Sequence, residues 1–277
     1  MKKLDENKIR YMHAKNFSAL KISTEMNVDV GTIYNRLKKM GIYTKRHRKY
    51  ILNEQYFEKI DSENKAYWLG FLMADGYNSG KFIRVDIQDI GHLEKLRDDI
   101  YPNKDMPVRT KISSTNKCVY YLTIQDSKFV NDCEKLGLVN KKSHIAKYPN
   151  IDLSMDNHFI RGLFDGDGCL SYTMDGNYRR YTFSICGSRD IISEVRNKLL
   201  LIGVNIGFRI TRSIYELHIR GNRQIIKVLD WLYDDSSIFL ERKFRKYDDM
   251  ITWDEFKRDK KYNKFLTIKT EGSPQER

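Results

Sequence analysis

Proline is scarce, with four in 277 residues, and no low-complexity stretch separates one part of the chain from another. Cysteine is equally rare. Cys118, Cys133, Cys169 and Cys186 stand apart with no CxxC pair, which argues against both a zinc site and a disulfide framework. The natural setting is a reducing one. The six histidines show no metal-ligand spacing. No apolar run reaches the roughly 20 residues of a membrane span; the longest near the middle, Tyr67–Ala74, amounts to part of a helix. No apolar stretch follows the opening Met1-Lys2-Lys3, so no signal peptide is read. The expected location is intracellular, in the cytoplasm or on the nucleoid, with no membrane partner. Acidic residues are the charged class in deficit, 37 against 50 basic ones, for a net charge of +13. That balance favours a polyanionic partner. A hydrophobic content of 40% excludes a wholly disordered chain.

The positive charge is concentrated at the front. Residues 1–60 hold 14 Lys/Arg against 6 Asp/Glu, so 8 of the 13 net charges lie in the first fifth of the chain. This segment reads as three helices. Residues 6–15 form the first. Ser18 caps the second, to which Leu20, Ile22 and Met26 supply apolar positions. Asn27-Val28 makes a turn, because Asn tolerates the left-handed conformation. Asp29 caps the third, in which Ile33 and Leu37 point inward at i, i+4 and Gly41 stops the helix. The order resembles the small helix-turn-helix units of resolvases and many bacterial regulators, with Asn27 and Ser23 in place of the usual turn glycine and an alanine. The resemblance implies that Asp29–Lys39 enters a DNA groove with Thr32, Tyr34, Asn35 and Arg36. Residues 43–50, with Arg46 and Arg48, read as a basic linker lying along phosphates. The expected organisation is a helix-turn-helix unit with its linker over 1–50, a body over 51–251 and a polar tail over 252–277.

The body is an internal repeat. Trp68-Leu69-Gly70-Phe71-Leu72-Met73-Ala74-Asp75-Gly76 returns 92 residues later as Ile160-Arg161-Gly162-Leu163-Phe164-Asp165-Gly166-Asp167-Gly168. Tyr121-Leu122-Thr123-Ile124 returns as Glu216-Leu217-His218-Ile219, and Val139-Asn140-Lys141-Lys142 as Leu240-Glu241-Arg242-Lys243. Each half, about 63–150 and 156–251, reads helix, two strands, helix, two strands, helix. Strict alternation marks the strands: Tyr181, Phe183 and Ile185 against Arg180, Thr182 and Ser184; Phe208 and Ile210 against Arg209 and Thr211; Val85 and Ile87 against Arg84, Asp86 and Gln88. Asp175-Gly176 signals a hairpin. One face of each sheet is expected to pack on helices. The other offers Arg84, Gln88, Arg109, Lys111, Arg180, Thr182, Arg209 and Thr211 to DNA.

The two nine-residue segments resemble the paired LAGLIDADG motifs of homing endonucleases, and the similarity covers residue 63 to about 250. Gly70 and Ala74, like Gly162 and Gly166, lie four apart on one helix face and let two helices touch backbone to backbone. That contact brings Asp75 and Asp167 together at the helix C-termini, with Gly76 and Gly168 expected to end the helices in the left-handed conformation. An acid at a helix C-terminus is disfavoured, and two acids side by side repel. Breaking both rules twice points to a functional site, and a divalent cation, Mg2+ or Mn2+, resolves the conflict. The expected metal site is Asp75, Asp167, Gly76 and Gly168. At the sixth motif position Met73 cannot bind a hard ion, so Asp165 opposite it is read as structural. The resemblance further implies a lysine near the cleavage centre in each half, Lys142 and Lys243, and it makes Gln88 and Gln125 weaker candidates for holding water. It implies a fold, α+β, with a duplicated αββαββα body of pseudo-two-fold symmetry behind a small all-α domain. It also implies an activity: a monomer that cuts both strands of double-stranded DNA at a long asymmetric site, leaving short 3′ overhangs. Two alternatives stay open, a DNA-binding regulator that has lost catalysis and an RNA maturase that assists intron splicing. Retention of both aspartates speaks against the regulator. An intein is not expected, because the chain lacks an N-terminal Cys or Ser and a terminal His-Asn pair.

Overall fold

The computed structural model describes residues 4–15, 17–42, 50–140, 142–211 and 214–253. Arg46 and Arg48, the side chain of Thr211 and the tail from 254 lie outside the described residues. The chain divides into two units, Met1–Lys49 and Tyr50–Arg277.

Helices α1 (Glu6–Ala14), α2 (Ala19–Met26) and α3 (Val30–Lys39) make up the first unit. Ser18 Oγ accepts from Lys21 N at 3.2 Å and Asp29 Oδ1 from Gly31 N at 2.7 Å, so each caps its helix. Asn27 turns the chain at φ 50°. Ile9, Met12, Ala19, Ile22, Ile33 and Leu37 fill a core of their own. Leu20, one of the apolar positions of the second helix, is 66% exposed. The face of α2 that packs is Ala19, Ile22, Ser23 and Met26, at the 3-4 spacing, and Leu20 falls off it. Ser23 is buried there because its hydroxyl donates to Leu20 O at 2.7 Å, which removes the penalty of an unpaired polar group.

The second unit repeats one pattern. Its first half runs α4 (Glu63–Asp75), β1 (Gly76–Asn78), β2 (Ile83–Ile87), α5 (Ile90–Ile100), β3 (Arg109–Ile112), β4 (Cys118–Ile124) and α6 (Ser127–Lys135). A short helix α7 (Lys142–Ile145) and a 3-10 turn (Leu153–Met155) connect it to the second half. That half runs α8 (Asp156–Asp167), β5 (Gly168–Asp175), β6 (Tyr178–Gly187), α9 (Arg189–Leu201), β7 (Gly207–Thr211), β8 (Ile214–Arg220) and α10 (Asn222–Tyr233). Residues 241–253 are again helical. The two antiparallel sheets have matching orders, β1-β2-β4-β3 and β5-β6-β8-β7. The fold is α+β with a duplicated αββαββα body. None of its described helices is long and apolar enough to cross a membrane.

At the centre, α4 lies against α8 in the most extensive contact between any two elements. Every residue of α4 from Ala66 to Ala74 is buried, so this helix has no amphipathic face to read. The glycines decide how close the helices come. A Cβ on Gly70 would fall inside the carbonyl of Phe159, and one on Gly162 inside the carbonyl of Tyr67.

Packing contradicts the sequence at one strand. Phe208 and Ile210 alternate as an inward pair should, yet they are 42% and 61% exposed. β7 is an edge strand paired only to β8, and among the described elements it has no other extensive contact. The β6 alternation holds: Tyr181, Phe183 and Ile185 are buried.

Candidate active site

Both motif aspartates stand at the last helical position, where α4 passes into β1 and α8 into β5. Gly76 and Gly168 do not end these helices in the left-handed conformation. Their φ, ψ are −75°, 143° and −79°, 162°, which is ordinary extended backbone. The glycines are needed for room: a Cβ on either would press against the carbonyl of Leu72 or Phe164 one turn back. Helix thus becomes strand without a loop, and the direction of each aspartate is set by two rigid elements.

The Asp75 carboxylate lies over the backbone of the opposite helix. Its Oδ2 is 3.4 Å from where a Cβ on Gly166 would stand. Burial first, and then the Asp167 charge, push the Asp75 carboxyl up to about 6. Asp167 is raised too, by burial. Among the described residues neither carboxylate accepts a hydrogen bond or forms a salt bridge. A cavity of about 260 Å³ opens beside Asp167, lined also by Met73, Lys142, Cys186, Ser188 and Ile214.

Each half supplies a lysine, and the two are placed alike. Lys142 Nζ donates to Leu72 O at 2.9 Å and also to Ala74 O. Lys243 Nζ donates to Phe164 O at 2.8 Å and also to Gly168 O. Each ammonium therefore caps the C-terminus of the helix that bears its half's aspartate, where a cation is worth roughly 0.3–1 kcal/mol and offsets the misplaced acid. Burial lowers both lysines to about 8. Neither is a solvated surface lysine. Gly168, expected beside the metal, gives its carbonyl to Lys243. Arg242, which sequence reading passed over, lowers the Asp75 carboxyl by its charge and reaches Asp89 Oδ2 at 3.1 Å.

The donor chemistry suits a small hard cation. The acids bring oxygen ligands only, and no cluster of three or more His, Cys, Asp or Glu among the described residues could hold a metal unaided. An ion held by Asp75 and Asp167 would complete its shell with water and phosphate oxygens, as magnesium does.

A buried network surrounds the site. Asp165 accepts from Tyr67 Oη at 2.7 Å, Tyr233 Oη at 3.2 Å and Leu240 N at 2.7 Å. With its proton given to Asp165, the Tyr67 oxygen accepts from His92 Nε2–H at 2.9 Å. Arg161, fully buried, donates to Glu63, Leu232 O and Ile238 O. The pairs Tyr67–Asp165 and Glu63–Arg161 each join one half to the other. Tyr67, His92 and Glu63 were invisible in the sequence because their partners are up to 175 residues away.

Strand register puts Arg84, Arg109 and Lys111 on one face of the first sheet and Arg180, Thr182 and Arg209 on one face of the second. Most of these cations are paired within the protein: Arg84 and Lys111 with Asp86, Arg180 with Asp175, Arg209 with Glu216. Arg84 also stacks on Tyr121 at 4.0 Å. Gln88 and Gln125 are exposed, the first beyond β2 and the second beyond β4. In the N-terminal unit Thr32 and Asn35 are exposed, Tyr34 packs partly on the helical core, and Arg36 pairs with Glu6 at 2.8 Å.

Residues 154–231 match the family model described as a LAGLIDADG-like domain. The matched span takes in α8 with its motif, both β-pairs of the second sheet and most of α10, and the first half repeats that architecture. Among solved structures the chain is similar to full-length DUF199/WhiA from Thermatoga maritima, at 18% identity over 78% of this chain and 73% of that one, with a TM-score of 0.46. It is similar to the LAGLIDADG meganuclease I-AabMI bound to uncleaved DNA, at 16% identity over 76% and 99% of the two chains and a TM-score of 0.47. The homing endonuclease I-WcaI bound to its DNA recognition sequence gives 12% identity, 76% and 97% coverage and a TM-score of 0.49. No curated protein matches the chain.

Proposed function

We propose that the protein is a metal-dependent endonuclease that cuts both strands of double-stranded DNA at a long, asymmetric site. One observation carries this reading: two carboxylates from the two motif copies end touching helices, are both pushed up by burial, and among the described residues accept no hydrogen bond and form no salt bridge. A fold gains nothing from such a pair, because burial and mutual repulsion both oppose their ionisation. Asp75 and Asp167 would hold Mg2+ or Mn2+, which when bound stabilises charge on a scissile phosphate and acidifies an attacking water. Lys142, half-buried, and Lys243, buried, hold positive charge next to the phosphate path and offset the charge that develops in the transition state. The polar sheet faces follow the major groove, and their arginines exchange internal carboxylate partners for phosphates and base edges. A single chain with two unequal halves acts as a monomer.

The decisive assay incubates the protein with DNA flanking its own gene, with and without Mg2+, and maps the ends. Metal-dependent cuts on both strands at one site are the expected result. The pH profile follows from the two directions of shift. Below about 6 a proton on Asp75 competes with the metal, and above about 8 the lysines lose their charge, so cleavage should plateau between those limits and fall on either side. Specific binding without cleavage under any divalent metal would overturn the nuclease reading and leave a DNA-binding protein.

The N-terminal unit adds affinity and no chemistry, since 8 of the 13 net charges precede residue 61 while both aspartates follow it. A chain starting near Leu52 should cut the same phosphates but bind more weakly, protect a shorter footprint and show a shallower dependence on salt, because fewer counterions are released. An unchanged footprint and salt slope would show that residues 1–51 take no part in target recognition.

A further inference from the structure

We propose that Asp165 and Asn78 are positioning residues, each fixing the lysine of its own half, so that loss of either one slows the cut on one strand only. The two lysines are equivalent, yet they are held differently. In the second half Asp165 accepts the peptide N–H of Leu240 at 2.7 Å. Leu240 in turn accepts from Lys243 N at 2.8 Å and Phe244 N at 3.1 Å, so it is the residue on which the helix 241–253 starts. Lys243 then returns to Phe164 O and Gly168 O, on either side of Asp165. The carboxylate, the start of the helix and the lysine close a ring within one turn of Asp167.

The first half cannot use this device, because the matching position is Met73. Its thioether methyl packs against Gly137 instead. There the pin comes from the first strand. Asn78, 2% exposed, donates from Nδ2 to Leu138 O at 2.7 Å and to Glu134 Oε1 at 3.2 Å. Leu138 stands four residues before Lys142, as Leu240 stands three before Lys243. The second-half residue that matches Asn78, at the same offset of 92, is Leu170, an apolar core residue. Each half thus carries one polar pin at a position where the other half is apolar. Both pins are buried, and both act on the short connection that delivers the lysine. A displacement of about 1 Å at a catalytic group costs up to a hundredfold in rate, so a loosened pin should be felt at the phosphate that its lysine serves and not at the other.

The strand-specific consequence rests on the nuclease reading, whereas the pins themselves do not. Two variants exchange each pin for the residue that the other half carries, Asp165→Met and Asn78→Leu. The first readout needs neither DNA nor metal: a pulse of acetylating reagent on the full chain, followed by peptide mass spectrometry. Lys243 should be modified severalfold faster in Asp165→Met with Lys142 unchanged, and the reverse should hold in Asn78→Leu. The conservative Asp165→Asn keeps an acceptor for Leu240 N–H and should keep Lys243 protected. The second readout is cleavage of a target labelled on either strand. Asp165→Met should accumulate DNA nicked in one strand and Asn78→Leu DNA nicked in the other, each slow cut retarded by about tenfold or more. If Asp165→Met fails to fold, Asn78→Leu decides by the same two measurements. Unchanged acetylation in folded variants would overturn the positioning role, and equal retardation of both strands would overturn its link to one cut. A wild-type protein that cuts neither strand would refute the nuclease reading, and the acetylation result would still decide the pins.

Discussion

Asp75→Asn and Asp167→Asn are each expected to lower double-strand cleavage by about a thousandfold or more, the loss of roughly 4 kcal/mol of charge stabilisation in the transition state. Specific DNA binding should survive, because neither carboxylate supports another residue. The same variants should melt higher, not lower. Asp75 has a carboxyl pushed from 3.8 to about 6 by burial and by Asp167. A raised folded-state value means that the protonated form is the one the fold prefers. The stabilisation that this provides is complete below 3.8 and is lost as pH rises through about 6. At pH 7 the ionised acid therefore strains the native state, and a neutral amide of the same shape removes the strain. Thermal melts at pH 5 and pH 7.5 check the sign: the gain from Asp75→Asn should be larger at the higher pH. Wild-type cleavage in either variant, or a lowered melting temperature at neutral pH, would sink the assignment.

Gly162→Leu is expected to destabilise the body by at least about 3 kcal/mol, and to prevent folding if α4 cannot move away. The new side chain would enter at a point where even a Cβ meets the Tyr67 carbonyl and the Phe71 amide. Backbone atoms in the middle of a buried helix cannot rotate aside as a side chain can. Gly176→Leu is the control. Gly176 sits at φ 57° in the β5–β6 hairpin with nothing within 4 Å of its Cβ direction, so the change costs only the left-handed backbone, about 1–2 kcal/mol. Calorimetry of the two variants separates the costs. Equal melting temperatures would mean that the helices do not need to touch.

Residues could be read from the sequence wherever the cause was local or repeated. Ser18 and Asp29 cap their helices because a short oxygen-bearing side chain at that position bonds an amide two or three residues on. The strands of the body announced themselves by period-two alternation, since neighbouring side chains point to opposite faces. The helix contact followed from small residues four apart. Local signals failed where the outcome depended on what covers a surface. Phe208 and Ile210 alternate correctly, but among the described elements β7 has an extensive contact with β8 alone. Leu20 is apolar at a position that α1 and α3 do not reach.

The site divides in the same way. Lys142 and Lys243, 101 residues apart, came from the family resemblance, whereas the repeat at offset 92 singled out Asp75 and Asp167 because duplicated spacing survives in a linear string. The roles of Gly76 and Gly168 did not survive it. A glycine after a helix suggests a left-handed stop, and only the packing of Leu72 and Phe164 against the chain shows that space, not φ, requires glycine there. The lysines' attachment to helix carbonyls and the different pins at Asn78 and Asp165 are likewise products of tertiary contact. So are the bonds by which Tyr67 and Glu63 hold the two halves together. By itself, then, the sequence determined the periodic elements, the duplication and the identity of the paired acids, because each is a relation between residues at fixed spacing. Which groups become buried, which carbonyl each lysine takes and how the halves come to differ were decided only by the tertiary structure. Those outcomes depend on donors, acceptors and volumes brought together from 56 or more residues apart, and such distances leave no trace in the spacing of either partner.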